Sequence, residues 1–208
     1  MIKIYRREET CISYKQIVDL MHESFQERLE QGLRYSCSFM TEEQFIEKTK
    51  NSLIFVAIDE DNGKFVGTTT LTVHIGKKQI YGYMEYVAIS SDYKHKGVGS
   101  LLLQRLKNTI ELGCSYILSD TSVKAESAVR YHLKNGFKII GLESYRSTNY
   151  WSYVFRMQLS PSFIWNNPVF LKMHFGLSYA FMKMTRDVNG NDTLLGKIYK
   201  KVKKICKN

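Results

Sequence analysis

Residues 86–100 read Tyr86-Val-Ala-Ile-Ser-Ser-Asp-Tyr-Lys-His-Lys-Gly-Val-Gly-Ser100, and a leucine-rich stretch follows at once. A β-branched and aromatic run gives way to a short polar loop. Gly97-x-Gly99 then opens a segment whose Leu101, Leu102, Leu103, Leu106 and Ile110 recur at helical spacing. Strand, glycine loop and helix start, in that order, form a device for holding phosphate. Glycine lets the backbone approach the ligand, the amides of the first helical turn point at it, and the helix dipole adds positive potential. Lys94 and Lys96 bring cationic charge to the same loop. The same spacing also serves as a close helix–strand packing turn, so by itself it leaves both readings open. The loop is not a Walker loop, since no Gly-Lys-Ser/Thr follows. Position 102, where a dinucleotide fingerprint carries its third glycine, is Leu.

Outward from this stretch the chain is a succession of elements. Ile2 to Tyr5 alternates as a short strand. Between Tyr14 and Leu33, Ile17, Leu20, Met21, Phe25 and Leu29 form one face of a helix. Thr41 and Gln44 make a capping box for a second helix, with Glu42 and Glu43 near its positive end. Leu53–Ile58 and Lys64–Val73 are β-rich runs joined through Asn62-Gly63, a hairpin signal. Ile80–Ile89 is a strand, Ser115–Ser119 a short one, Glu126–Lys134 a helix closed by Asn135-Gly136, and Phe137–Leu142 and Tyr150–Leu159 the last strands. The order β, α, α, β, β, β, α, β, α, β, β predicts a mixed sheet flanked by helices, α/β or α+β. Alternation puts Tyr83, Glu85, Val87 and Ile89 on one face of their strand, with Glu85 the one carboxylate in the row. A carboxylate among apolar neighbours suits a general base, whereas one at a strand end pairs with a surface lysine, and both readings stand.

Two segments match patterns of a known family. Lys94-His95-Lys96-Gly97-Val98-Gly99 follows Gln/Arg-x-x-Gly-x-Gly/Ala, with Lys in the first position. Ala128-Val-Arg-Tyr-His-Leu-Lys-Asn-Gly136-Phe137 follows Ala-x-x-aromatic-Tyr-x-Lys-x-Gly-Phe, with His132 in place of Tyr. Over residues 1 to 158 the chain resembles the GNAT superfamily of acyl-CoA-dependent N-acyltransferases. The resemblance implies a mostly antiparallel central sheet and acetyl-CoA as co-substrate, with no metal. It implies that Val87, Ala88 and Ile89 splay from the neighbouring strand to pair with the pantetheine arm. Lys94, His95, Lys96, Gly97, Val98, Gly99 and Ser100 would hold the pyrophosphate. Glu85 lies near the position of the family's base, and His132 is the candidate to protonate the leaving thiolate. Tyr131 is the alternative acid, although one residue turns a helical side chain by ~100°. His74, at a hairpin end, is a second-choice base.

With 208 residues, 44% hydrophobic and 24% charged, the chain has the balance of a soluble globular protein. The N-terminal MIKIYRREET lacks the apolar core of a signal peptide, and Phe163–Met182 is interrupted by Asn166, Asn167, Lys172 and His174, so a cytoplasmic protein is expected. Cys11, Cys37, Cys114 and Cys206 lack zinc-finger spacing and read as reduced thiols, mostly in the core; His22, His74 and His174 have no partner at metal spacing. The net charge of +10 is segregated: from Ser160 onward nine basic residues face only Asp187 and Asp192. A domain over 1–160 and a basic, Met- and aromatic-rich helical extension over 161–208 are therefore expected, with Pro161 as the boundary. Phe163–Met184 should cover the sheet or a second copy of the chain in a homodimer. Gly196–Lys207 places Ile198, Val202 and Ile205 on one side and lysines on most of the rest. The function this composes is acetyl transfer to a primary amine of a small metabolite. The other readings are a non-catalytic CoA-binding or interaction module, and membrane or nucleic-acid binding through the tail.

Overall fold

The computed structural model describes residues 1–76, 79–108 and 113–205; Ile110, Cys206 and Lys207, placed above in helices or among the thiols, lie outside them. The chain divides into two compact units, Met1–Ser119 and Asp120–Asn208.

In the first unit, β1 (Ile2–Arg6) precedes α1 (Tyr14–Glu30) and α2 (Glu42–Thr49), followed by β2 (Ser52–Asp59), β3 (Lys64–Ile75), β4 (Ile80–Ile89) and α3 (Val98–Asn108). Both early helices start on capping boxes, Ser13 with Gln16 and Thr41 with Gln44. α1 stops before the expected Leu33 because Gly32 turns left-handed at φ 77°, and the Leu33 amide closes back onto the Arg28 carbonyl at 2.9 Å. Asn62-Gly63 makes the β2–β3 hairpin, with Gly63 at φ 68° and its amide 2.7 Å from the Asp59 carbonyl oxygen. Ile17, Met21, Phe45, Phe55, Met84 and Leu102 are wholly buried and form the core of this unit. Cys37 and Cys114 are buried and Cys11 exposed; burial pushes the Cys37 thiol up to about 12, which keeps it protonated.

β5 (Tyr116–Ser122) carries the division between the units and runs three residues past the expected Ser119, ending on the buried Thr121 and Ser122. The second unit continues with α4 (Glu126–Lys134), β6 (Lys138–Ser144), β7 (Trp151–Gln158), α5 (Phe163–Asn166), α6 (Pro168–Thr185) and α7 (Leu194–Ile205). α4 closes as expected at Gly136, φ 88°, with the Phe137 amide donating to the His132 carbonyl at 3.0 Å. α6, whose helical run has no sequence period to announce it, starts on the Asn167 side chain, which accepts from the amides of Val169 and Phe170, with Pro168 in the first turn. It lies on β6: Ser178 Oγ accepts from the Leu142 amide at 3.3 Å and His174 Nδ1 donates to the Ile140 carbonyl at 2.8 Å. Gly141 is required there, since a Cβ on it would meet Ser178 Oγ at 2.7 Å.

The strand order is β1-β2-β3-β4-β5-β7-β6. β4 and β5 pair parallel; β1/β2, β2/β3, β3/β4 and β6/β7 pair antiparallel. This is the mixed α/β sheet flanked by helices that the element order predicts, mostly antiparallel as the resemblance implies.

Candidate active site

β4 carries the candidate chemistry at its C-terminal end. Its antiparallel register with β3 runs Thr72↔Tyr83, Thr70↔Glu85, then Thr68↔Ala88 and Gly67↔Ile89. Two β4 residues, Tyr86 and Val87, thus stand against the single Thr69, which is a β-bulge. Tyr86 takes up the extra residue in the left-handed region at φ 51°, a conformation rare for a bulky side chain. Its ring packs edge-on against Phe45 of α2, centroids 5.6 Å apart. The hydroxyls of Thr69 and Thr70 both donate to the Glu85 carbonyl, at 3.2 and 3.3 Å, and so brace the bulge from β3.

The bulge changes the phase of the strand. Directly opposed residues share a face, so Tyr83, Glu85 and Ala88 lie on one side and Ile89 on the other. The expected row of Tyr83, Glu85, Val87 and Ile89 is therefore broken after Glu85. Ile89 joins the side of Gly67, where a Cβ would meet Val98 Cγ1 of α3 at 3.0 Å. The parallel register between β4 and β5 covers Tyr81↔Tyr116 to Tyr83↔Leu118 and ends there, ahead of Glu85. His74 is exposed on the same face as Glu85, four register pairs away, and stacks on Tyr81 at 4.9 Å.

Beyond β4 the loop is fastened to α1. Ser24 Oγ donates to the Ile89 carbonyl at 2.9 Å. The Glu23 carboxylate accepts from the Ser91 amide at 3.0 Å and from the hydroxyls of Ser90 and Ser91. The Ser91 amide is the main cause of a Glu23 pKa below the ordinary carboxylate value, helped by the two hydroxyls and by Lys94. Lys94 bridges to Glu27 at 3.2 Å, and the Lys96 ammonium lies 4.8 Å from the Tyr93 ring centroid. Tyr93 in turn donates to Asp59 at 2.7 Å. Sequence reading singled out none of Glu23, Ser24 and Glu27. Their signal is the four-residue spacing of Glu23 and Glu27 on one helix face, which marks a face without marking its partner.

The loop ends on two left-handed residues, His95 at φ 64° and Gly97 at φ 83°, directly before α3. Left-handed residues at a turn belong to the backbone patterns that form anion-binding concavities; of the loop amides, those of Lys94 and Lys96 donate to the Ser91 and Tyr93 carbonyls at 3.3 and 3.4 Å. A Cβ built on Gly97 would have nothing within 4 Å, so its outer side is open space. Val98 and Gly99 are buried under the turn while His95, Lys96, Gly97 and Ser100 are exposed. The first turn of α3 contains no acidic residue, which leaves the positive end of its dipole uncompensated. These residues fit a pyrophosphate.

In the second unit, His132 and Tyr131 lie side by side on α4 in different surroundings. His132 is 4% exposed. Its ring stacks on Phe155 at 4.4 Å, meets Phe137 edge-on at 5.1 Å, and its Nδ1–H donates to the Ala128 carbonyl at 2.7 Å. Tyr131 is half-buried, and loss of water around its phenol pushes the pKa well above the ordinary value of 10.0. Among the described residues no cluster of three or more His, Cys, Asp or Glu side chains could hold a metal.

A family model described as the Acetyltransferase (GNAT) family matches residues 14–137, and the chain belongs to that family. No curated protein matches the chain. Among solved structures, an acetyltransferase of the GNAT family from Streptococcus pneumoniae is 20% identical, with a TM-score of 0.55 over 76% of this chain and 99% of that one. The IAA acetyltransferase from Bacillus cereus is 17% identical, with a TM-score of 0.56 over 76% and 100%. A GNAT family acetyltransferase from Elizabethkingia anophelis, solved with acetyl-CoA bound, is 14% identical, with a TM-score of 0.55 over 76% and 98%. At these identities the likeness is one of fold.

Proposed function

We propose that the chain is a cytoplasmic N-acetyltransferase that moves the acetyl group of acetyl-CoA to the primary amine of a small metabolite, with residues 1–160 as the catalytic domain and 161–208 as an extension. The observation that carries this reading is the pair of left-handed residues, His95 and Gly97, set before an acid-free helix start and open to solvent. That arrangement suits the pyrophosphate of acetyl-CoA, with Lys94, His95, Lys96, Gly97, Val98, Gly99 and Ser100 supplying amides and charge. Val87, Ala88 and Ile89 pair with the pantetheine arm.

Glu85 takes the proton from the acceptor ammonium, directly or through one water. The amine nitrogen attacks the thioester carbonyl carbon; a C–N bond forms and the C–S bond breaks. Backbone amides near Val87 and Ile89 donate to the oxyanion that develops between these steps. The departing thiolate receives its proton from Tyr131, and the extra proton on the attacking nitrogen is lost to solvent, which reprotonates the phenolate. Tyr131 is preferred over His132 because the His132 Nδ1–H is committed to a carbonyl and its ring is enclosed by Phe137 and Phe155. A small acceptor is favoured because the charge of the chain is concentrated in the extension, leaving residues 1–159 close to neutral.

Calorimetry with acetyl-CoA, followed by turnover of an amine panel, tests the reading. Wild-type protein binds one acetyl-CoA in the micromolar range, and Gly97→Glu, which adds bulk and negative charge to the loop, loses the binding. Glu85→Gln keeps acetyl-CoA affinity within about twofold while turnover falls by roughly 10²–10⁴-fold. No acetyl-CoA binding by the wild type would remove the proposal, and full turnover by Glu85→Gln would remove Glu85 as the base.

A further inference from the structure

We infer that α6 and α7 together form a docking surface for an anionic lipid bilayer. On α7, Leu194, Leu195, Ile198, Tyr199 and Val202 remain 44–74% exposed. At ~100° per residue these five side chains occupy an arc of about 140°. Lys197 and Lys201 border one edge of the arc, Lys203 borders the other, and Lys200 lies between them on the opposite side. α7 thus has the make-up of a helix that lies in a membrane interface, with its apolar face turned to the acyl chains and lysines reaching the headgroups.

α6 repeats the arrangement. Its docked side faces β6 through His174 and Ser178. Val169, Met173, Leu177, Phe181 and Met184 form a second stripe, 40–73% exposed, bordered by Lys172 and Lys183. The two stripes join where the Phe181 and Tyr199 rings meet edge-on at 5.1 Å, so the apolar surface is continuous across both helices. No described helix is long and apolar enough to cross a membrane, so the surface can only lie on one.

Charge decides the occupant. A second copy of the chain would bring another strongly basic extension against this one, and like charges would face each other around the apolar patch. A nucleic acid would satisfy the lysines and leave ten apolar side chains in water. A bilayer with anionic headgroups satisfies both, because the lysines meet phosphates at the depth where the stripes meet acyl chains. The inference does not depend on acyl transfer.

Vesicle flotation of the full chain tests it, using phosphatidylcholine vesicles and vesicles in which about a third of the lipid is phosphatidylglycerol. The protein should float with the anionic vesicles and not with the neutral ones, and added salt should release it. Replacing Lys197, Lys201 and Lys203 singly by Gln should weaken binding roughly fivefold for each lysine, whereas Lys200→Gln, on the far side of the helix and paired with Asp192 at 2.6 Å, should leave it unchanged. Leu195→Glu with Ile198→Glu should abolish flotation, while thermal melting and acetyl-CoA binding match the wild type. The lysine variants do not touch the apolar face and test the surface even if the double variant melts early. Failure to float with either vesicle overturns the inference. So does a wild-type dimer in sedimentation that Leu195→Glu with Ile198→Glu converts to monomer, or tighter binding to duplex DNA than to anionic vesicles.

Discussion

Tyr131 and His132 show how neighbours on one helix come to differ in chemistry. The motif reading named both, because position along the chain was all it had. Burial separates them: His132 is enclosed by Phe137 and Phe155, whereas Tyr131 keeps a raised, protonated phenol. Tyr131→Phe should lower kcat by roughly 10²-fold with acetyl-CoA affinity unchanged. Because the phenol is raised above its ordinary 10.0, the wild-type pH–kcat profile should show no alkaline loss below that pH. Glu23 makes a second case. Its folded pKa lies below the ordinary 4.5, so its contribution to the loop is complete above that value and is lost as pH falls through the lower folded value. The difference in melting temperature between wild type and Glu23→Gln should be constant near neutrality and vanish in acid. No pattern in the sequence could have paired Glu23 with Ser91, since the bond joins residues far apart in the chain.

Among the elements, those with local causes were legible and those with cross-strand causes were not. The capping box at Thr41, the Asn62-Gly63 hairpin and the Gly136 closure each rest on neighbouring residues, and each lies where the spacing predicts. The β4 bulge has no residue signature, because the extra position is taken by a tyrosine and not a glycine. Alternation read straight through it therefore gave Val87 and Ile89 the wrong phase. Gly67 belongs to the same scale. It lets α3 approach β3 until Val98 Cγ1 would lie 3.0 Å and Leu102 Cδ1 3.4 Å from an added Cβ. Gly67→Ala should destabilise the protein by about 1–3 kcal/mol in urea unfolding. By displacing the start of α3 it should also weaken acetyl-CoA binding.

Over the whole molecule, charge segregation could be counted from the sequence and a helical extension expected from it, while the docked side of that extension could not be read. Phe163–Met184 mixes Met, Phe, Tyr and Leu with little period, so a cover for the sheet or for a second copy could be expected without the side that docks; β6 selects that side through Gly141 and Ser178. The two sides should respond differently to substitution. Met182 is buried at 6% exposure, and Met182→Ala should cost about 2–5 kcal/mol. Leu177 is 66% exposed, and Leu177→Ser should change stability by no more than about 0.5 kcal/mol. Paired chemical denaturation curves measure both. Arg186, which ion-pairs with Glu143 at 2.7 Å and donates to the Ser144 carbonyl at 3.1 Å, ties the end of α6 to the end of β6. Its identity is plain in the sequence and its partner is not.

The left-handed Tyr86 bears on protein engineering. A stabilisation campaign that scans for strained backbone would choose this position and install glycine, relieving on the order of 1 kcal/mol. The same change deletes the ring that meets Phe45 at 5.6 Å, an edge-to-face contact of about 0.5–1.5 kcal/mol. The area that the ring buries is lost as well, so the relieved strain does not offset the change and the variant should melt below the wild type. What a scan for strain does not read is the ring's part in holding the bulge and the aim of the backbone amides just beyond it, so a library built to relax this backbone would lose stability where it set out to gain it.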